Sequence, residues 1–482
     1  MLDYRPPENC DPVHAPVRAE DGVQLALVRD RAQRLWLHVT GRADEFHGNL
    51  LPRDGGGKLC PLTSDNVAPL ARKLPWLRPT RLPDDRPSFG FGDRMGLASP
   101  GHLRSVRGRR VFPVLAQQSV RENTRTGRSF ADVLADATFA AFREGHSIGF
   151  GADADHLKTV SDAEEACHLG YTFFTCDPGD RVVSLDGTDD AQLPERFASL
   201  PDRSDLEKRY LDRSYRFGDS TVVRFTAAGL QRAAVKYGAA ISHAVRMYRA
   251  IRALLGDAFD YEVSIDETAD PTSPLEHLFM ASELRHREVN FVSLAPRFVG
   301  AMEKGVEWRG DMRRFREDLA LHAAIADSIG GYRLSLHSGS DKYSLYPELS
   351  RAMHGKVHIK TAGTSYLVAL EVVARHLPSL FRRIMAHSLE AFAEDQATYH
   401  ISADPQRIPS VDGIADEGLP GLVATHDSRQ ILHVAYGSVL RSALGDELRS
   451  ALTEHEEEHF EALDRHMQRH LRALEVMPDD DT

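Results

Sequence analysis

Phe259-Asp260-Tyr261-Glu262-Val263-Ser264-Ile265-Asp266 alternates without a break between apolar and polar residues. Side chains alternate across a β-strand, so Phe259, Tyr261, Val263 and Ile265 share one face and Asp260, Glu262, Ser264 and Asp266 the other. The apolar face must lie against covering helices, which turns the acids toward the interior of a closed sheet. In a parallel barrel, polar residues near the C-terminal ends of strands point into the mouth, where such barrels carry their sites.

The same parity recurs along the chain. Ile148, Phe150 and Ala152 oppose Gly149, Gly151, Asp153 and Asp155. Tyr332, Leu334 and Leu336 oppose Arg333, Ser335 and His337, Val357 and Ile359 oppose His358 and Lys360, and Tyr399 and Ile401 oppose His400 and Ser402. From about residue 88, strands alternate with helical patterns, which implies a parallel sheet with covering helices. The candidate strands are Phe89–Gly92, Val111–Ala116, Ile148–Asp153, Tyr171–Asp177, Phe259–Asp266, Val289–Ala295, Tyr332–His337, Val357–Thr361 and Thr398–Ser402, one more than a (β/α)8 barrel takes.

The expected fold is therefore α/β, a TIM-like (β/α)8 barrel over 86–435 with an insertion at 180–258 that ends in a helix over Ala227–Leu255. Residues 1–85 read as a small cap with a hairpin, Val23–Val28 with Leu35–Val39, followed by Gly55-Gly56-Gly57 and a Pro-rich linker from Pro75 to Pro87. Residues 436–482 read as a helical extension reaching Val476.

The 482 residues carry 59 Lys and Arg against 71 Asp and Glu, a net charge of −12 without a basic block, which argues against nucleic-acid binding. Cys10, Cys60, Cys167 and Cys176 are scattered and form no CxxC pair, which suits a reducing compartment. The N-terminus is polar and Pro-containing rather than a signal peptide, and no apolar run approaches membrane length, so a cytoplasmic protein without membrane contact is expected. A homo-oligomer is compatible with this composition.

Acids, imidazoles and a lysine converging on one axis call for compensation, because an unpaired buried carboxylate takes up a proton instead. A divalent cation supplies it, and carboxylates mixed with imidazoles suit Mn, Fe, Co, Ni or Zn. Loops after the strands add Arg297, the pair Glu303-Lys304 and Ser338-Gly339-Ser340-Asp341-Lys342. Lys342, Lys360 or Arg297 is expected to hold an anionic substrate group.

Three other patterns have plainer explanations. His455-Glu456-Glu457-Glu458-His459 matches HExxH literally but lies on an amphipathic, charge-rich helix. Gly90-Phe91-Gly92-Asp93-Arg94-Met95-Gly96 lacks the ending of a phosphate loop, and its glycines read as permitting a tight turn at a strand end. Cys176 falls on an apolar face and reads as a core residue.

Several segments together resemble the tagaturonate/fructuronate epimerase family, metal-dependent sugar-acid epimerases of hexuronate catabolism. They are Gly92-Asp93-Arg94-Met95-Gly96-Leu97-Ala98-Ser99-Pro100-Gly101-His102, Ala116-Gln117-Gln118-Ser119, Gly151-Ala152-Asp153-Ala154-Asp155-His156-Leu157-Lys158, Leu336-His337-Ser338-Gly339-Ser340-Asp341-Lys342-Tyr343-Ser344 and Ile359-Lys360-Thr361-Ala362-Gly363-Thr364-Ser365-Tyr366. The resemblance spans about residues 88–440 and implies a divalent metal, an acid/base pair and a 2-keto-hexuronate substrate. Carried over by position, it makes Asp153 a proton acceptor and Asp155, Glu303 and His337 metal ligands. It assigns the second proton-transfer role to a fifth-strand acid, here Glu262, with Asp266 and Glu267 as alternatives. Asp153 and Glu262 would then act from opposite sides of the sugar, or the inversion would proceed by retro-aldol cleavage or a hydride route. A class II aldolase acting on a keto sugar acid would use nearly the same residues.

Overall fold

The computed structural model describes residues 4–13, 17–20, 22–51, 57–185, 192–217 and 221–475. Eight parallel strands close into a barrel: β1 (Ser88–Phe91), β2 (Phe112–Ser119), β3 (Gly151–Leu157), β4 (Phe173–Cys176), β5 (Asp260–Ser264), β6 (Ser293–Ala295), β7 (Arg333–Leu336) and β8 (Val357–Thr361). Each strand pairs with its successor and β8 closes on β1, with Ile359 opposite Phe89 and Thr361 opposite Phe91. Tyr261, Val263, Leu334, Leu336, Val357 and Ile359 face outward and are buried beneath the helices, as their parity requires.

The ninth expected strand, Thr398–Ser402, is not one. Gln396–Thr398 is a short 3-10 turn, and the residues after it cross the barrel mouth as irregular chain. With β8 already paired to β1, the closed ladder leaves that segment no free edge to join. The third strand also begins later than expected, because Ile148 is 67% exposed and lies before the sheet.

The barrel's lower end is stoppered by the segment expected to be a linker. Leu82 N–H donates to Asp260 Oδ2 at 2.6 Å, Arg81 pairs with Asp260 Oδ1 at 3.0 Å, and Arg333 donates to the carbonyls of Pro83 and Arg86. The inward-facing polar residues at the starts of β5 and β7 are thereby used to anchor this plug.

Before the barrel, six short strands form an antiparallel sheet built on Val23–Asp30 paired with Leu35–Gly41. Gly57 opens its Gly57–Cys60 strand, whereas Gly55 and Gly56 lie outside the described residues. The insertion holds two short helices, a hairpin of Ser214–Phe217 with Thr221–Arg224, and the helix α1 (Ala227–Leu255), which crosses back to β5. After β8 come α2 (Thr364–His376), further helices, and finally α3 (Ala443–Glu454) and α4 (Glu456–Ala473). Val476 lies outside the described residues. No described helix is long and apolar enough to cross a membrane.

Two of the plainer patterns resolve locally. The backbone N–H groups of Met95 through Ser99 converge as in an anion site, but the carboxylate of Asp93 fills it, accepting from Gly96 at 2.8 Å and Ala98 at 2.7 Å. Gly92 is required for close approach rather than a turn, since a Cβ there would meet Ala362 Cα at 2.6 Å. Cys176 is fully buried, and that burial pushes its thiol up to about 12.

Candidate active site

Inward parity and position along the strand together build the site. At the middle of the barrel His358 Nδ1 meets Ser88 Oγ at 2.8 Å, and burial first of all lowers this imidazole to about 3, keeping it neutral. One step higher, Lys360 brings its ammonium to Asp153 Oδ2 at 2.6 Å, Asp155 Oδ1 at 2.7 Å, Glu262 Oε1 at 2.9 Å and Thr175 Oγ1 at 2.6 Å. Lys360 is only 3% exposed, so three carboxylates from two strands share one buried cation.

Above this layer His337 Nε2 lies 2.6 Å from Glu262 Oε1, and its Nδ1 approaches Ser264 Oγ at 3.2 Å and Asp266 Oδ1 at 3.4 Å. A second imidazole stands beside it, with ring centroids 4.9 Å apart: His156, whose Nδ1 is 3.0 Å from Asp155 Oδ2 and whose Nε2 is 3.5 Å from Asp266 Oδ1. Sequence parity assigns His156 to the outer face. It turns inward because the β3–β4 register slips after Phe174, a bulge that leaves Leu157 opposite Cys176. His156 there takes φ +51°, a left-handed conformation uncommon outside glycine. Backbone strain of this sort gathers at functional sites, and Ser338 (φ +53°) and Asp341 (φ +60°) share it on the loop after β7.

Asp155, His156 and His337 each offer a donor atom, all within 4.8 Å of one another. Both ring nitrogens of His156, together with Asp153 Oδ2 and Glu262 Oε2, are buried without a well-directed hydrogen bond. Asp153, Asp155, Glu262 and Asp266 against Lys360 alone leave a net charge of −3. Burial would lower both imidazoles, yet Asp155 holds His156 well above its usual value, and Asp266 with Glu262 raises His337 against Lys360. Two protons on these rings bring the charge to −1, and a divalent cation between neutral rings reaches the same value. The donor set, with His156 ring nitrogens that lack a well-directed hydrogen bond, and its charge therefore fit a divalent transition-metal ion.

The carboxylates differ sharply. Burial would raise Asp155, but His156 and Lys360 outweigh it and hold the group well below the ordinary range. Glu262 is likewise held low by Lys360 and His337. Asp153 goes the other way: burial, reinforced by Asp155 and Glu262, lifts it to about 6 despite Lys360.

The remaining expected residues are placed as follows. Asp153 and Glu262, expected to flank a substrate from opposite sides, both contact the Lys360 ammonium, at 2.6 Å and 2.9 Å. Lys360, expected to hold a substrate carboxylate, is already enclosed by three carboxylates, and an incoming anion would be repelled by them. Lys342 is fully buried and spends its ammonium on the carbonyls of Glu303 (2.9 Å), Val306 (2.5 Å) and Ser340 (3.2 Å), so it secures loops instead of facing a ligand. Glu303, expected beside Asp155 and His337, is not grouped with them. Its carboxylate accepts from Arg309 at 2.5 Å, Ser402 at 2.7 Å and Gln430 at 2.9 Å, tying down the segment that was read as the ninth strand. Asp266 reaches the cluster between the two imidazoles, and Glu267 sits farther out, bonded to Arg121 at 2.7 Å.

Two adjoining cavities open above the cluster. One, with about 540 Å³ of empty space, is lined by Gln117, Asp155, His156, His337 and Lys360. The other, about 740 Å³, is lined by Arg297, Lys304, His337, Tyr399 and His400. Arg297 makes no side-chain hydrogen bond or ion pair among the described residues, which leaves a guanidinium facing the second cavity.

A family model described as tagaturonate epimerase (UxaE) matches residues 17–474. The tagaturonate/fructuronate epimerase of Thermotoga maritima is 44% identical over 418 residues, covering 86% of each chain. Among solved structures, the native fructuronate-tagaturonate epimerase UxaE from Cohnella laeviribosi superposes with a TM-score of 0.92 at 37% identity, covering 98% of this chain and 97% of that one. A glycerol complex of the same enzyme gives 0.91 at 37% identity, covering 96% of both chains.

Proposed function

This chain belongs to the tagaturonate epimerase family, and from that membership we infer that it is an isomerase interconverting D-tagaturonate and D-fructuronate. The observation that carries the chemistry is the cluster of Asp155, His156 and His337 standing over Lys360 and its carboxylates at the barrel mouth. A cytoplasmic setting suits a catabolic sugar-acid enzyme of this kind.

Tagaturonate and fructuronate differ at one hydroxyl-bearing carbon, β to the ketone. A C–H bond there is not acidified by the carbonyl, so the route assigned is retro-aldol cleavage and re-addition. A base takes the proton of the hydroxyl on that carbon, and the bond to the α-carbon breaks. Its electron pair passes to the α-carbon and ketone oxygen, leaving an enediolate and an aldehyde. The aldehyde presents its other face, the carbon–carbon bond re-forms, and the proton returns to the alkoxide, so no atom or electron is gained.

Held by Asp155, His156 and His337, a divalent cation would supply Lewis-acid stabilisation of the negative charge that develops on the ketone side. Lys360, on the cavity floor, is engaged by Asp153, Asp155 and Glu262 and holds these carboxylates in place. Asp153, reached across that ammonium, is the one carboxyl of the group lifted toward neutrality, and it is suited to take the proton and give it back. Arg297 and Lys304 face the second cavity and suit the substrate carboxylate.

Two outcomes are expected. In D₂O the product should carry no deuterium at the inverted carbon by NMR, because its hydrogen never leaves; label at that carbon overturns the retro-aldol route. The base form of Asp153 exists above about 6, so kcat/KM should rise with pH through that value and level off. Asp153→Asn should remove that limb along with most of the rate, and a limb that persists in the variant would assign the base elsewhere.

A further inference from the structure

The HExxH match does not work as one motif, because a helix break splits it: α3 ends at Glu454 and α4 begins at Glu456. His459 is buried against the body of the protein, whereas His455 faces outward at the break. There it stacks on His376, the last residue of α2, with ring centroids 4.4 Å apart and 23° between planes. Neither imidazole makes a hydrogen bond to another described residue closer than the 3.7 Å approach of His455 Nδ1 to Glu458 Oε1.

The three consecutive glutamates of α4 are not equivalent. Glu456 is neutralised by Arg29 at 2.9 Å and Arg143 at 2.8 Å, and Glu457 pairs with Arg104. Glu458 has no lysine or arginine partner among the described residues and turns its carboxylate to the two rings. His376, His455 and Glu458 thus offer donor atoms within 4.8 Å of one another on an accessible surface. On a tetrahedral ion with Zn–N bonds of about 2.0–2.1 Å, two imidazole nitrogens lie roughly 3.4 Å apart, which the stacked rings reach by turning about their side-chain bonds until their planes converge on the ion.

We propose that His376, His455 and Glu458 form a second metal site, open to solvent and separate from the barrel mouth, that takes an imidazole-preferring divalent ion such as Zn²⁺ or Ni²⁺. Bound there, the ion staples the end of the barrel helix α2 to the α3–α4 junction. A cluster deeper in the molecule, Asp341 with His466 and His470, has similar donors but is already satisfied. Asp341 is paired with Arg429 at 2.5 Å, and His470 Nε2 accepts from the Asp341 backbone N–H at 3.1 Å. The surface cluster lacks any such internal cation.

The test uses the full chain, stripped with a chelator, loaded with Zn²⁺ or Ni²⁺ and freed of excess by gel filtration. Wild type should retain one equivalent more per chain, by elemental analysis, than His376→Gln/His455→Gln, while epimerase activity is the same in both. The added ion should also raise the melting temperature of wild type more than that of the double variant. Equal metal content in the two proteins overturns the site. Should the double variant fold poorly, Glu458→Gln leaves both rings in place and should weaken binding of the extra equivalent at least several-fold; unchanged affinity there also counts against the assignment.

Discussion

Lys360→Met is expected to destabilise the metal-free protein by about 3–5 kcal/mol and to abolish epimerisation. The ammonium is 3% exposed and lies 2.6–2.9 Å from Asp153, Asp155 and Glu262, so its removal strands like charges in a site that water barely reaches. Breaking one side of a buried ion pair costs far more than the pair contributes net, because the orphaned charge retains its desolvation penalty. The pH dependence follows from the sign of the shifts. In wild type, Asp155 and Glu262 are held below their usual values, so their contribution is present above the ordinary carboxylate range and lost as pH falls through the depressed values. Without Lys360 the cation that opposes the burial of Asp153 is gone, so this already raised carboxyl moves further above its unfolded value, and the variant loses stability as pH rises. The gap in melting temperature between wild type and Lys360→Met should therefore widen from pH 5 to pH 8. A gap that narrows over that interval would mean the carboxylates are not charged together in the native state. Lys360→Met/Glu262→Gln, with one stranded charge removed, should recover part of the loss.

The same layer shows how far alternation in the sequence carries. Parity alone placed Asp153, Asp155, Glu262, His358 and Lys360 on one interior, because an outward acid would have had to sit under an apolar helix. It does not say which end of the barrel a residue occupies. Asp260 and Arg333 share the inward face with Glu262 and Ser335, yet they stopper the bottom, and only their place at the start of a strand separates them from the mouth. Parity also assumes an unbroken ladder. His156 escaped it because one inserted residue between β3 and β4 reverses the face, and a bulge has no signature in an alternating run of Asp and Ala. Tyr399-His400-Ile401-Ser402 shows the converse: it alternates as a strand should, but strand formation needs an edge to pair with, and the closed barrel had none left. Lys342 and Glu303 were legible as charged loop residues beside the site. That their charges would be consumed by backbone carbonyls and by Arg309, Ser402 and Gln430 depends on loop packing, which residue spacing does not encode.

His337→Ala is expected to lower kcat/KM by more than about 100-fold, the upper range for residues that merely orient a metal's ligand, and to reduce bound divalent metal in parallel. The imidazole does two jobs at once. It supplies one of three donors that meet within 4.8 Å, and it separates Glu262 from Asp266, approaching them at 2.6 Å and 3.4 Å. Alanine removes the donor and leaves the two acids facing each other across a gap, so a competing cation cannot restore the geometry by binding to carboxylates alone. His156→Ala should behave the same way, since its ring holds the corresponding position between Asp155 and Asp266. That equivalence is the discriminating part of the prediction: a strained, bulged histidine with only a structural role would cost stability without changing metal content. Elemental analysis and turnover measured on both variants, each shown to be folded by its circular dichroism, decide the matter. Wild-type metal content in His156→Ala would restrict the ligand set to Asp155 and His337, and wild-type content with undiminished turnover in His337→Ala would move the metal away from the barrel mouth altogether.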